Sequence, residues 1–304
     1  MEIIGKTQFD FIGLRRGAFV LSTVLVLLGV VAAVQIARGQ ANLGIEFSGG
    51  TAVQVRFERP VDLGRVRQVL SRGALTEGNP QQFAGGRRVL IRIKHGEGGV
   101  QATAARVLEI LREGFSGNAF VLESSNEVGP VIGRELQRAA LWAILISLIG
   151  IVSYIAWRFE FRFGIAAAVA TFHDVLVVLG LFFILGREIT LLTVTALLTL
   201  AGYSLTDTVV VFDRIRENLR GRRRGTLAEI MNVSINETLS RTIMTSITTL
   251  AALLAILILG GEVLRDFALA LTFGIVVGSY SSVFVASPIV YEWRVRGRRR
   301  RAGR

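Results

Sequence analysis

The segment ITLLTVTALLTLAGYSLTDTVVVF, residues 189–212, decides the fold class of this chain. It is long and apolar enough to cross the hydrocarbon core of a bilayer, which takes about 20 helical residues. It nevertheless carries Asp207, and a carboxylate in hydrocarbon costs roughly 2.5 to 3.5 kcal/mol and usually faces a bundle interior or a water path. Because shielding from water favours the protonated form of a carboxyl group, Asp207 can bind and release a proton. The segment indicates an α-helical membrane protein that handles protons.

The composition agrees with a membrane protein. Hydrophobic residues make up 51% of the chain, charged residues 19%, and the mean hydropathy is +0.53, which is too apolar for a soluble protein. The net charge is +12, but arginines concentrate beside apolar segments and in the tail 294–304. Anionic lipids are therefore the predicted partner of this charge, and no nucleic acid is expected. The absence of cysteine excludes disulfides and a thiol nucleophile.

Six segments have the length and apolarity of membrane spans. They are Gly17–Ala37, Ala139–Trp157, Phe163–Leu185, Ile189–Phe212, Thr242–Leu259 and Phe267–Tyr291. The length of the first span and the five later ones favour an uncleaved anchor over a signal peptide. Short Arg-rich connections fall on one side, so the positive-inside rule predicts a multi-pass protein of the cytoplasmic (inner) membrane with both termini in the cytoplasm. The predicted divisions are 1–37, an extracytoplasmic domain 38–138, the helices 139–291 and an Arg-rich cytoplasmic tail 292–304.

The long segment between the first two spans has the pattern of a small folded domain. Alternating apolar residues predict strands, and helical periodicity predicts two helices, in the order β-α-β-α-β. The predicted elements are strand 51–57, helix 61–72, strand 89–94, helix 100–112 and strand 119–123. This order predicts an α+β sandwich of the split βαβ, ferredoxin-like type. The Gly-rich segments 77–86 and 94–99 are predicted to be mobile connections.

This domain shows no pattern of an enzyme site. His95 stands between Lys94 and Gly96, which favours a solvated turn over a metal ligand. Ser48, Gly49 and Gly50 resemble a phosphate-binding loop only superficially, because the lysine of such loops is absent; a tight bend is the favoured interpretation. With no nucleophile–base pair and no metal set, the chain is predicted not to be an enzyme and to bind no cofactor or metal.

Polar residues recur inside the predicted spans. His173 and Asp174 lie near the middle of the third span, either on a proton path or as hydrogen-bonding groups that join helices. The fourth and fifth spans each carry residues at helical spacing that predict a polar stripe, and the two stripes are expected to face each other. The first stripe contains Thr195, Thr199, Tyr203, Ser204 and Asp207, and the second contains Arg241, Thr245, Thr248 and Thr249.

Asp207 and Arg241 fall in corresponding halves of sequential antiparallel helices, so they can approach each other. A nearby arginine favours the ionised carboxylate, and separation in a low dielectric favours the protonated form. Movement between the two arrangements would be a proton switch. The alternative is a static ion pair that fixes helix packing.

Unpaired polar stripes predict that a second helix bundle covers this one, since transporters are commonly built from two related halves. Gly274 and Gly278 on the last span form a small-xxx-small face suited to close helix approach. Tolerated flexibility of a membrane helix is the alternative interpretation of these two glycines.

Five segments carry a family resemblance. The run 202–218, GYSLTDTVVVFDRIREN, resembles the fourth-span signature of the SecF proteins in the SecD/SecF family. Matching segments are FSGGT at 47–51, VGP at 128–130 with Ile132 and Gly133, FHDV at 172–175 and NETLSRT at 236–242. They occur in the family's order and spacing, from the first span to the last.

The resemblance implies a function and a set of partners. SecF-like proteins belong to the resistance-nodulation-division superfamily and pair with SecD to form a pseudosymmetric twelve-helix unit. With the SecYEG channel and the SecA ATPase, that unit uses the proton motive force to drive late steps of export of an unfolded polypeptide. The family's essential aspartate and arginine map onto Asp207 and Arg241. Two other roles remain open: an exporter of drugs or lipids, and a scaffold without proton coupling.

Overall fold

The computed structural model describes residues 7–75, 78–83, 85–93, 100–221 and 225–302. His95 and the predicted connection 94–99 lie outside these residues. By its internal contacts the chain forms two compact units, one of Met1–Asn42 with Ala143–Arg304 and the other of Leu43–Trp142.

The unit Leu43–Trp142 contains an antiparallel sheet covered by helices. Its elements are α2 Ile45–Ser48, β1 Gly50–Phe57, α3 Leu63–Arg72, β2 Asn79–Gln82, β3 Arg88–Ile93, α4 Val100–Gly114 and β4 Phe120–Val128. In the described part of the chain the sheet has four strands in the order β2-β3-β1-β4, and every neighbouring pair is antiparallel. This order confirms the predicted split βαβ type, in which the first and last strands lie side by side.

The predicted connection 77–86 is wrong in part, because Asn79–Gln82 is a strand. Its four residues pair with β3, from Asn79 opposite Arg92 to Gln82 opposite Val89. The sequence NPQQ lacks the β-branched and aromatic residues that mark strands, so only backbone pairing to β3 identifies it.

The core of this domain follows the alternation of β1. Val53, Val55 and Phe57 are buried with Val66 of α3 and Leu111 of α4. Both helices carry one apolar face, so the sheet and helices shield each other from water. The predicted bend before β1 is confirmed: Gly49 and Gly50 have φ values of 71° and 132°, which glycine adopts without a steric penalty.

Within the described residues, six helical segments are long and apolar enough to cross a membrane, as predicted. They are α1 Arg15–Ala37, α5 Pro130–Arg158, α6 Phe161–Ile184, α7 Leu191–Arg220, α8 Leu227–Leu259, and a continuous last helix of α9 Gly261–Ser281, a π-helical turn Ser282–Ala286 and α10 Ser287–Ala302. Helix α8 begins well before the predicted start at Thr242. Thr226 and Glu229 form a capping box at its N-terminus. This box marks the start of the helix, because it satisfies backbone N–H groups that have no partner within the helix.

Glycines set the closest helix contacts. A Cβ at Gly180 of α6 would lie 2.7 Å from the backbone nitrogen of Gly29 in α1, so the two backbones meet directly. A Cβ at Gly274 would lie 2.5 Å from Leu200 of α7, and one at Gly278 would lie 3.1 Å from Ser204. The small-xxx-small face of Gly274 and Gly278 therefore packs against the chain's own α7.

Hydrogen bonds join the segment before α1 to α8. The side-chain amide of Asn236 accepts a hydrogen bond from the Phe9 amide at 3.1 Å and donates to the Phe9 carbonyl at 2.9 Å. Asn232 accepts from the Ile12 amide at 3.0 Å, and the Phe11 and Ile12 side chains are buried. The asparagine of the NETLSRT segment thus has a structural contact to the N-terminal residues.

Candidate proton-handling site in the membrane helices

Asp207 lies in the middle part of α7 and is almost completely buried, with 8% of its surface exposed. Its Oδ2 atom is buried and has no hydrogen-bond partner among the described residues. An unpaired buried carboxylate oxygen is costly. Asp207 is therefore a buried carboxyl group with one oxygen that no described side chain satisfies.

Arg241 of α8 is the basic residue that the sequence pairs with Asp207. No ion pair within 4.0 Å joins Arg241 to Asp207, both of which the structure describes, and the Arg241 side chain is exposed. The static ion pair considered from the sequence is therefore not formed in this conformation. The predicted movement between a paired and a separated arrangement stays a prediction.

Asp174 is in a different environment from Asp207, although both are buried aspartates. It has no exposed surface, and three side chains bond to it. His173 Nδ1 lies 2.8 Å from Oδ1, the Ser281 hydroxyl donates to Oδ2 at 2.8 Å, and the Ser204 hydroxyl also donates to Oδ2. The structure thus brings the predicted His173–Asp174 pair together with residues of α7 and α9.

The last helix contributes serines that the sequence argument missed. Ser282 begins the π-helical turn and lies 2.9 Å, oxygen to oxygen, from the Thr208 hydroxyl of α7. Ser279 bonds in the same way to Ser246 of α8 at 2.6 Å. The run GSYSS at 278–282 is the signal that could have found them, because three serines so close together are unusual in an apolar span, and π-helical turns are frequent at functional sites.

The predicted polar stripes meet at one described contact. Tyr203 and Thr249 hydroxyls lie 3.3 Å apart. The hydroxyls of Thr195 and Thr199 bond to their own helix, as do those of Thr245 and Thr248, and these four residues are exposed. Four residues exceed one full turn of an α-helix by roughly 40°. A stripe with this spacing therefore winds gradually around α7, from an exposed position at Thr195 to a buried position at Asp207.

No group of three or more His, Cys, Asp or Glu side chains in the described ranges has the arrangement of a metal site. The described side chains of the site include a carboxyl group with an unpaired oxygen, a positively charged arginine, and hydroxyl and imidazole groups. Such a set can bind, release and pass a proton.

The chain matches known proteins over nearly all of its length. Residues 109–296 match the family model described as "Protein export membrane protein SecD/SecF, C-terminal", and residues 41–61 match the "SecD/SecF GG Motif". The chain is 51% identical over 292 residues to the protein translocase subunit SecF of Thermodesulfovibrio yellowstonii, covering 95% of this chain and 96% of that protein. It is 42% identical to the SecF subunit of Calditerrivibrio nitroreducens, covering 96% of each chain.

A solved structure has the same fold. The crystal structure of SecDF, described as a translocon-associated membrane protein, from Thermus thermophilus superposes with a TM-score of 0.82 at 41% sequence identity. The match covers 97% of this chain and 40% of the SecDF chain, so this chain spans about two fifths of that structure's length.

Proposed function

We propose a role for this chain from its family: it belongs to the SecD/SecF family of protein-export membrane proteins, and it is a SecF-type subunit of a protein translocase. Its relatives are named for transport and not for catalysis, which supports the prediction that it is not an enzyme. The finer proposal is that it uses the proton motive force, together with SecD, to drive late steps of polypeptide export. The observation that carries this proposal is the buried, unpaired Oδ2 atom of Asp207 inside a membrane span.

The proposed switch alternates between two surroundings of Asp207. In the conformation described here the carboxyl group is shielded from water and is not paired with Arg241, which favours a bound proton. When the helices bring Arg241 close or admit water, the fixed charge favours release of that proton. A cycle of uptake on one side of the membrane and release on the other couples the gradient to helix movement. His173 and Asp174 were predicted to belong to the same path, and that part stays a prediction.

SecD is the proposed partner in this cycle. A relative in Thermus thermophilus is a single SecDF chain, of which this chain spans 40% at 41% identity, so a separate SecD protein would supply the other half of the twelve-helix unit. We further propose that this pair works with SecYEG, SecA and the exported polypeptide in the cytoplasmic membrane, with both termini and the Arg-rich tail facing anionic lipids of the cytoplasmic leaflet.

The test is Asp207→Asn, which keeps the size of the side chain and removes the titratable group. In inverted membrane vesicles, export that depends on the proton gradient should be lost, while SecA-driven translocation and the amount of the protein in the membrane stay at the parent level. If the variant responds to the gradient as the parent does, the scaffold hypothesis replaces proton coupling. An exporter of drugs or lipids would instead show gradient-dependent small-molecule efflux without any effect on polypeptide export.

A further inference from the structure

We propose that Asp174 is a positioning residue that holds α7, and with it Asp207, through hydrogen bonds and without exchanging a proton. This inference rests on the proposed role of Asp207. It assigns the two buried aspartates different tasks, where the sequence placed both on one path.

The contacts of Asp174 join three helices. Its Oδ2 atom accepts hydrogen bonds from Ser204 of α7 and from Ser281 of α9, and its Oδ1 atom lies 2.8 Å from His173 Nδ1 on α6. Hydrogen bonds to a carboxyl group are stronger where the local dielectric is low. Loss of this one side chain would therefore remove the hydrogen bonds that link α6 to α7 and α9 at this point.

The same contacts leave Asp174 poorly suited to carry a proton. It has no exposed surface, and both of its oxygens are engaged. The neighbouring His173 is only 5% exposed, and its second nitrogen, Nε2, is buried with no partner among the described residues. A proton leaving Asp174 through His173 would have no acceptor in the described part of the chain, whereas Asp207 retains a free oxygen.

The hydrogen bonds to α7 lie close to Asp207 on both sides. Ser204 is three residues before Asp207, and this spacing makes the two residues neighbours on the surface of the helix. Thr208, the residue after Asp207, is held to Ser282 at 2.9 Å. Gly278 fits against Ser204 so tightly that an added Cβ would lie 3.1 Å from the serine Cβ. Asp174, Gly278 and Ser282 therefore fix the rotation of α7 that keeps the Asp207 carboxyl group buried.

An amide can replace the carboxylate in this network. In Asp174→Asn the amide oxygen can still accept from Ser204 and Ser281, and the amide nitrogen can donate to His173 Nδ1 in the neutral tautomer that carries its hydrogen on Nε2. Asp174→Leu has a similar volume but satisfies none of the three partners. The two variants separate a hydrogen-bonding role from a proton-carrying role, because Asn cannot titrate.

The experiment places Asp174→Asn, Asp174→Leu and Asp207→Asn in the full chain with its SecD partner in inverted vesicles. We expect Asp174→Asn to keep gradient-dependent export within about threefold of the parent, and Asp174→Leu to lose at least about tenfold. Loss of gradient-dependent export in Asp174→Asn, to the extent seen in Asp207→Asn, at normal protein level would overturn the proposal and place Asp174 on the proton path. A full response in Asp207→Asn would instead contradict the proposed function.

A spectroscopic measurement covers the case in which Asp174→Leu fails to accumulate. The infrared carboxyl band of Asp207, assigned as the band absent from Asp207→Asn, should keep its position in Asp174→Asn and shift in Ser204→Ala, which removes one hydrogen bond from the network. A band that is unmoved in Ser204→Ala would show that the network does not position Asp207 and would also overturn the proposal.

Discussion

At the scale of single residues, the two buried aspartates differ in the partners that surround them. Asp174 is enclosed and bonded by His173, Ser204 and Ser281, while Asp207 keeps an unpaired oxygen. A buried polar group without partners costs free energy, and hydrogen bonds to neighbouring side chains offset part of that cost. The same type of side chain thus has both oxygens engaged in α6 and keeps an unpaired oxygen in α7.

Arg241 offers a second test at this scale. Arg241→Met removes the positive charge that favours ionisation of Asp207, and a loss of about 1.4 kcal/mol of charge interaction changes the proton affinity about tenfold. We expect gradient-dependent export to fall at least about tenfold, and Arg241→Lys, which keeps a charge without the planar fork, to retain more of it. Because Arg241 is exposed and unpaired among the described residues, protein levels should not change. A parent-like rate in Arg241→Met would contradict the switch.

At the scale of helices, the closest packing occurs at glycines, which have no side chain to hold two backbones apart. The backbones of α1 and α6 meet at Gly29 and Gly180, and α9 meets α7 at Gly274 and Gly278. Close approach increases van der Waals contact, which is a main source of helix association in lipid. By contrast, α5 presents many large apolar side chains on its outer surface, among them Trp142, Ile146 and Ile149.

Because some helix glycines lie in close contacts and others do not, we expect a glycine-to-leucine substitution to lower stability at one position and not at another. Gly180→Leu would drive a side chain into the backbone of Gly29, which cannot move as a side chain could, and overpacking of this kind costs about 1–3 kcal/mol or more. Gly150→Leu on α5 is the matched control, because an added Cβ there meets nothing within 4 Å. In thermal unfolding of the detergent-solubilised protein, we expect a lower Tm for Gly180→Leu and a Tm near the parent's for Gly150→Leu. Equal Tm values would show that the close crossing contributes little.

At the scale of the whole molecule, the chain leaves a polar surface in its membrane region. Thr195 and Thr199 of α7 and Arg241, Thr245 and Thr248 of α8 are exposed. Exposed threonines can bond to their own helix, as these do, but a charged guanidinium in hydrocarbon is costly. We infer that SecD covers this surface.

A bulky substitution tests the position of that interface. Thr245→Trp should reduce recovery of SecD with the tagged chain in mild detergent at least about fivefold, because overpacking at an interface costs about 1–3 kcal/mol. Ile149→Trp on α5 is the control at a 64% exposed site, and it should leave recovery unchanged. Equal recovery with both variants would place the SecD interface elsewhere, and a stable, active chain without SecD would contradict the partnership itself.

The sequence by itself determined the six spans and most of the small α+β domain, because apolar length and alternation are local properties that each segment carries on its own. It also identified Asp207, since a carboxyl group in an apolar run needs no knowledge of its neighbours to be conspicuous. The sequence did not predict strand β2, because its pairing with β3 is made by backbone groups, which every residue has.

Only the tertiary structure decided which polar groups meet. The link from Asp174 to Ser204 and Ser281 joins residues up to 107 positions apart in the chain, and no spacing rule predicts such a contact. The same holds for Gly274 and Gly278, whose face fits α7 of the same chain, and for Thr245, which the helix rotation turns outward. Side-chain partners depend on the rotation and separation of packed helices, and these are fixed by the shapes of all the residues between them.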